Sequence, residues 1–133
     1  MMKTSELKET ISIKSFTTLR NAYLNGDLPR PIRLSTHSIV WDKGEIRTWM
    51  LSRPKVKSYP KLIFNIPEVD EKTDLKFISL REVLELTTIR SPTTIYEWMK
   101  KGEFPAHRQI LQRKVGWLKH EIMAWMAWRK KHI

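Results

Sequence analysis

A displacement of 76 residues lays this chain over itself without a gap, residues 1–57 on residues 77–133. TTLRNAYLNGDLP (17–29) falls on TTIYEWMKKGEFP (93–105), and IVWDKGEIRTWM (39–50) on VGWLKHEIMAWM (115–126). Of the 57 aligned pairs, 16 are identical. Scattered identity arises by chance far more easily than the ordered run Gly-x-x-Pro followed by Trp-x-Lys-x-Glu-Ile-x-x-Trp-Met. Pairs such as Leu19/Ile95, Leu28/Phe104, Leu34/Ile110 and Ile39/Val115 stay apolar where identity is lost. A fixed internal period implies a duplicated structural unit. Units this small need large side chains inside. Trp41, Trp49, Trp117 and Trp125 recur across the copies on apolar faces, so they read as core rather than as platforms for base stacking.

Charge follows the same boundaries. Residues 1–57 carry a net +6, residues 58–75 a net −2 and residues 76–133 a net +7, in a chain of net charge +11 and pI near 10.1. Both copies are basic and the connector is not. Single lysines are good solvated surface, but a basic excess repeated in both copies points to an anionic partner: nucleic acid, an anionic membrane or an acidic protein. The chain holds no Cys, which excludes disulfides, thiolate metal sites and cysteine nucleophiles. No apolar run approaches a membrane span, and MMKTSELKETISIK lacks the apolar stretch of a secretory signal. The expectation is a soluble cytoplasmic, nucleoid-associated protein. His37, His107, His120 and His132 include no i, i+4 pair with a third ligand, and no phosphate-cradling or nucleophile-elbow glycine motif occurs. The chain therefore reads as no enzyme, with no metal, no cofactor and no small-molecule substrate.

The second copy spells out one unit. Ser79-Leu-Arg-Glu82 is a capping box opening a short helix. Thr88-Ile89-Arg90 is a tight turn, Ser91 an N-cap and Pro92 the first residue of a second helix. Ile95, Trp98 and Met99 make its apolar face, and Gly102 ends it in the left-handed conformation. His107–Ile110 and Lys114–Trp117 are expected as two strands around a basic tip, and His120–His132 as a final helix. Two helices joined by a short turn form a helix-turn-helix, and a basic hairpin after them is a wing.

IRSPTTIYEWMKKGEFP followed by VGWLKHEIMAWM resembles the AlpA family of phage-type regulators, related to excisionases. The resemblance covers Phe77 to about Trp128, and residues 1–53 carry the pattern more faintly, with Phe16 for Pro92, Ala22 for Trp98 and Val40 for Gly116. It implies a mainly α fold with small β wings: two tandem winged helix-turn-helix domains of the MerR/excisionase type. The domains are expected over residues 1–53 and 76–133, each with a two-stranded wing, joined by a linker over residues 54–75. Apolar linker residues 62–66 are expected to pack on one of the domains, with strand pairing between subunits as the sharper option.

The resemblance further implies double-stranded DNA as the partner, with Phe16–Asn25 and Pro92–Lys101 entering the major groove. Candidate contacts on these helices are Thr17, Arg20, Asn21 and Asn25 in the first copy, and Thr93, Tyr96, Glu97, Lys100 and Lys101 in the second. Arg suits guanine and Asn adenine, each through two hydrogen bonds, whereas Glu97 suits cytosine N4. Wing candidates are Arg30, Arg33 and His37, and Arg108, Arg113 and Lys114, placed for phosphates or the minor groove. Solvated helix and turn residues are the alternative reading of each. The function expected is sequence-specific transcriptional regulation of a prophage or mobile element. The alternatives are an excisionase-like recombination directionality factor that bends DNA, and a protein-interaction module that has lost DNA binding. A helix cannot read the deep RNA major groove, which argues against RNA. No membrane partner is expected. Two half-sites are met either by the two copies of one chain or by a homodimer.

Overall fold

The computed structural model describes residues 1–132. The repeat in sequence is a repeat in structure. In the first copy a strand, β1 (Met2–Lys3), leads into helices α1 (Thr4–Thr10) and α2 (Phe16–Leu24), a hairpin β2 (Ile32–Ser35) and β3 (Ser38–Trp41), and helix α3 (Lys43–Leu51). The second copy repeats the order with β4 (Phe77–Ile78), α4 (Leu80–Thr87), α5 (Pro92–Lys100), β5 (Arg108–Leu111), β6 (Lys114–Leu118) and α6 (Lys119–Lys131). The turns between the paired helices match in detail. Ser12 and Thr88, which are equivalent positions, both take the left-handed conformation at φ 61° and 60°, one uncommon outside glycine.

Each sheet has three antiparallel strands, ordered β1-β3-β2 and β4-β6-β5. The expected two-stranded wings thus gain a third strand, because the residues entering the first helix of each unit pair with the hairpin first: Met2 opposite Trp41, Phe77 opposite Leu118. The capping box forms, with the Ser79 side chain accepting from the Glu82 N–H and the Glu82 carboxylate accepting from the Ser79 N–H. Ser91 stands at its N-cap without a side-chain cap bond, whereas Ser15 accepts from Thr18 N–H at 3.3 Å.

The tryptophans are buried and anchored. Trp41 Nε1 donates to the Pro29 carbonyl and Trp117 Nε1 to the Pro105 carbonyl, both at 3.0 Å. Trp49 Nε1 donates to the Asp27 carbonyl at 2.8 Å and Trp125 Nε1 to the Glu103 carbonyl at 2.9 Å. A buried indole N–H needs a partner. Here the two recurring indoles of each unit find theirs in the Gly-x-x-Pro turn, which accounts for the repeated motif.

The two units are not beads on a flexible string. The second sheet is apolar on both faces. Ile78 and Trp117 point into the core of the second unit, with Val83, Ile95, Met99, Phe104, Ile122 and Trp125. Phe77, Ile110, Leu111 and Leu118 join the core of the first, with Leu7, Ile11, Leu19, Trp49 and Met50. Phe77 meets Trp49 edge to face at 6.5 Å, and Ser12 Oγ donates to Glu82 Oε1 at 3.2 Å. Leu118 occupies the N-cap of α6 with no cap bond, where the equivalent Asp42 accepts from Glu45 N–H at 3.0 Å. Losing such a cap costs about 1 kcal/mol, and burying a leucine side chain returns about 1.5–3 kcal/mol, so the exchange favours the packed arrangement.

Apolar residues Leu62, Phe64 and Ile66 pack on one unit, the second, as expected, while the connector as a whole touches both. Its first part lies on the second: Gln109 N–H donates to the Pro54 carbonyl at 2.9 Å, and Lys55 bridges Arg108 antiparallel at the edge of β5. Phe64 is buried in the second core and stacks on Trp128 at 5.2 Å. At Gly102, φ +72°, an added Cβ would sit 2.6 Å from the Lys61 carbonyl oxygen, whereas Gly26, φ +83°, has nothing within 4 Å. The last part of the connector lies on the first unit, where Arg47 donates to the carbonyls of Thr73 at 2.7 Å and Asp70 at 2.8 Å. Apolar burial outweighs linker freedom here. Ile110→Ala is expected to lower the unfolding free energy by about 2–5 kcal/mol in urea, read by tryptophan fluorescence. The intact chain is expected to unfold in one transition, and two resolved transitions would show the units to be independent.

Candidate nucleic-acid interface

Helix α2 presents its polar residues because its apolar ones are consumed by the core: Leu19 and Ala22 are buried, and Thr17, Arg20, Asn21 and Asn25 are exposed. Residues at i, i+4 and i+7 share one side of a helix. Phe16, Arg20 and Tyr23 do so, and they face the hairpin of their own unit across a groove of ≈ 380 Å³ that Arg33, Thr36 and His37 also line. Thr18, Asn21 and Asn25 lie on the opposite side of α2. They line a second groove of ≈ 500 Å³, whose far wall is the tip of the other unit's hairpin, Gln112, Arg113 and Lys114. Between the grooves runs an exposed ridge carrying Thr17 and Leu24. Arg33 Nη1 donates to the Thr36 carbonyl at 3.1 Å, which holds the first tip in shape. Arg30 and His37 are exposed on the same hairpin region.

Helix α5 is different. Thr93, Glu97, Lys100 and Lys101 are exposed, but Tyr96 is half-buried against the rings of His107 at 5.7 Å and Trp117 at 6.4 Å. Tyr59 of the connector also meets His107 at 6.0 Å, and Lys57 Nζ sits 5.5 Å over the Tyr59 ring. Trp98, where the first unit has Ala22, packs on Trp125 at 5.7 Å under the Arg129 guanidinium. Arg108 is turned inward: it pairs with Glu121 at 3.1 Å and donates to the Arg53 carbonyl at 3.2 Å. The connector strand along β5 provides that carbonyl, so Arg108 is committed to holding connector, hairpin and α6 together. Arg113 is exposed and Lys114 half-buried. Lys14, Thr18 and Gln112 also line the larger groove. They went unnoticed in the sequence because their role depends on how the two units pack, and only the basic pair Lys14/Arg90 was a hint.

Burial holds His107 and His120 below the usual histidine range, with Lys57 lowering His107 further and Arg108 lowering His120 against the opposite pull of Glu121. Among the described residues, no group of three or more His, Cys, Asp or Glu is placed to hold a metal ion. No helix of the described chain is long and apolar enough to cross a membrane.

The family model of the prophage CP4-57 regulatory protein (AlpA) matches residues 2–54 and, a second time, residues 76–130. The chain belongs to the AlpA family, in tandem. It is also 38% identical over 64 residues to an uncharacterized protein, ORF88, of Enterobacteria phage P4, a match covering 48% of this chain and 68% of that protein. No solved structure matches the chain. The two AlpA matches leave out residues 55–75, the connector that packs on both units.

The histidines give a testable sign. A histidine whose folded pKa lies below its unfolded value of about 6.5 contributes stability that is full above that value and is lost as pH falls toward the folded pKa. The urea midpoint is expected to drop between pH 7 and pH 5, and His107→Gln to flatten that slope. An unchanged slope in the variant would show that His107 is not its source.

Proposed function

We propose that this chain is a sequence-specific double-stranded DNA-binding transcriptional regulator of a prophage or mobile element. The observation that carries this is the convergence of the exposed half of α2 with the two hairpin tips, bringing Arg20, Asn21, Asn25, Arg33, His37, Arg113 and Lys114 around two grooves, one on each side of the helix. Membership of a family described by a prophage regulatory protein supports the same reading. In it, residues 1–53 and 76–133 are two winged helix-turn-helix domains of the MerR/excisionase type, joined by residues 54–75. The order of helix, turn, helix, hairpin and helix in each unit fits that fold. Helix α2 enters the major groove, Arg20 and Asn21 meet base edges, and the hairpin cations meet phosphates or the minor groove. Thr93, Glu97, Lys100 and Lys101 form a second contact along α5.

Selection of bound sites from random duplex DNA tests this directly. Affinity for a selected duplex, followed by anisotropy, is expected to fall by about three to five decades from 50 to 200 mM salt, as for about six to ten phosphate contacts. Arg20→Ala is expected to relax preference at one base position at a cost of about 1–3 kcal/mol. Lys100→Ala with Lys101→Ala is expected to weaken binding to all sequences alike. Binding without salt dependence, or failure to enrich any duplex, would instead favour a protein-docking role for the basic face.

A further inference from the structure

The larger groove has walls from both units, and neither half of the chain contains it alone. One wall is the side of α2 bearing Thr18, Asn21 and Asn25, and the other is the tip of the second hairpin, Gln112–Lys114. Lys14, Arg113 and Lys114 bring positive charge to it, and Asp27 is its one carboxylate among the lining residues. None of these three cations is in a salt bridge among the described residues. The groove on the opposite side of α2 is bounded by its own hairpin, with Arg20, Arg33 and His37. The helix is thus flanked by a basic hairpin on each side. At α5, Trp98 with Arg129 above it fills the side equivalent to Ala22.

We propose that the second hairpin serves as a second wing for α2, so that both hairpins of the chain grip one stretch of DNA on either side of a single reading helix. This rests on the DNA-binding reading above. It makes the first unit, which carries the fainter family pattern, the principal reader. The second unit supplies a positioning cation pair, Arg113 and Lys114, and its own helix α5 lies farther along the same duplex. A groove with three cations outside any salt bridge and three primary amides, Asn21, Asn25 and Gln112, suits a phosphate backbone running beside exposed bases. An acidic protein segment would be served by the charges but would leave the ordered Asn pair without bases to read.

The chain contains no Cys, so a single introduced thiol carries a probe to one place. Leu24→Cys on the ridge of α2 and Gln112→Cys on the second tip are each coupled to an iron chelate. Strand scission is then mapped on a duplex that the intact chain has selected from a random pool. Both positions are exposed, and neither is a proposed base contact. Cuts from position 112 are expected within about half a helical turn, roughly five base pairs, of those from position 24. Cuts from position 112 more than a full turn away from those of position 24, with both variants still bound, would overturn the proposal. Failure of the unmodified chain to select any duplex would overturn the DNA-binding reading itself, and this one with it.

Discussion

Everything in each unit hangs on a pair of indole N–H groups that reach the same turn. The hairpin tryptophan and the last-helix tryptophan of each copy donate to carbonyls two residues apart in the Gly-x-x-Pro segment, at 2.8–3.0 Å. Each buried N–H that has left water costs about 1–3 kcal/mol if it finds no acceptor. Satisfying both fixes the end of the second helix, the start of the hairpin and the axis of the last helix relative to one another. The exposed ridge of α2 is held in place by that arrangement rather than by any interaction of its own. The aromatic bodies of the same residues fill the core, so one residue type supplies both the apolar burial and the angular constraint.

Much of this was legible in the sequence. The duplication, the capping box, the two left-handed glycines and the tryptophan core were each carried by local chemistry or by recurrence at a fixed offset. The third strands were not, since Met2–Lys3 and Phe77–Ile78 are two residues long and show no alternation to detect. The connector was legible in part, since its apolar residues 62–66 do pack on one unit, whereas the contacts at its two ends were not foreseen. Its fate is decided by Phe64, Lys55 and the backbone at Lys61, whose partners lie far away in the chain. The exposed face of α5 was read from helical spacing alone. Spacing placed Tyr96 on the solvent side but not under Trp117 and His107. Arg108 was assigned to a wing because it is basic and next to a basic tip. Its carboxylate partner, Glu121, is 13 residues on, and no local pattern announces the pair.

The copies have diverged according to position. The first keeps polar, hydrogen-bonding side chains where α2 is flanked by two hairpins. Opposite Arg20, Asn21 and Ala22 the second has Tyr96, Glu97 and Trp98, and it uses aromatic surface to receive the connector and cover its own core. Duplication has thus left one kind of unit with two different helix surfaces, one polar and flanked by hairpins, the other covered by aromatic side chains.

The contact between the units also has a symmetry. The outer face of one sheet meets the helical face of the other unit, two different surfaces, so the association is heterologous. Repeated with a fixed rotation, such a contact either closes into a ring or runs on as an open filament. At the free sheet, the positions equivalent to Phe77, Ile110, Leu111 and Leu118 are Met1, Leu34, Ser35 and Asp42, half of them polar. At the free helical face, Trp98 stands where Ala22 leaves room beside Leu111. The first unit thus offers the second a place beside Leu111, and Trp98 fills the corresponding place on the second unit.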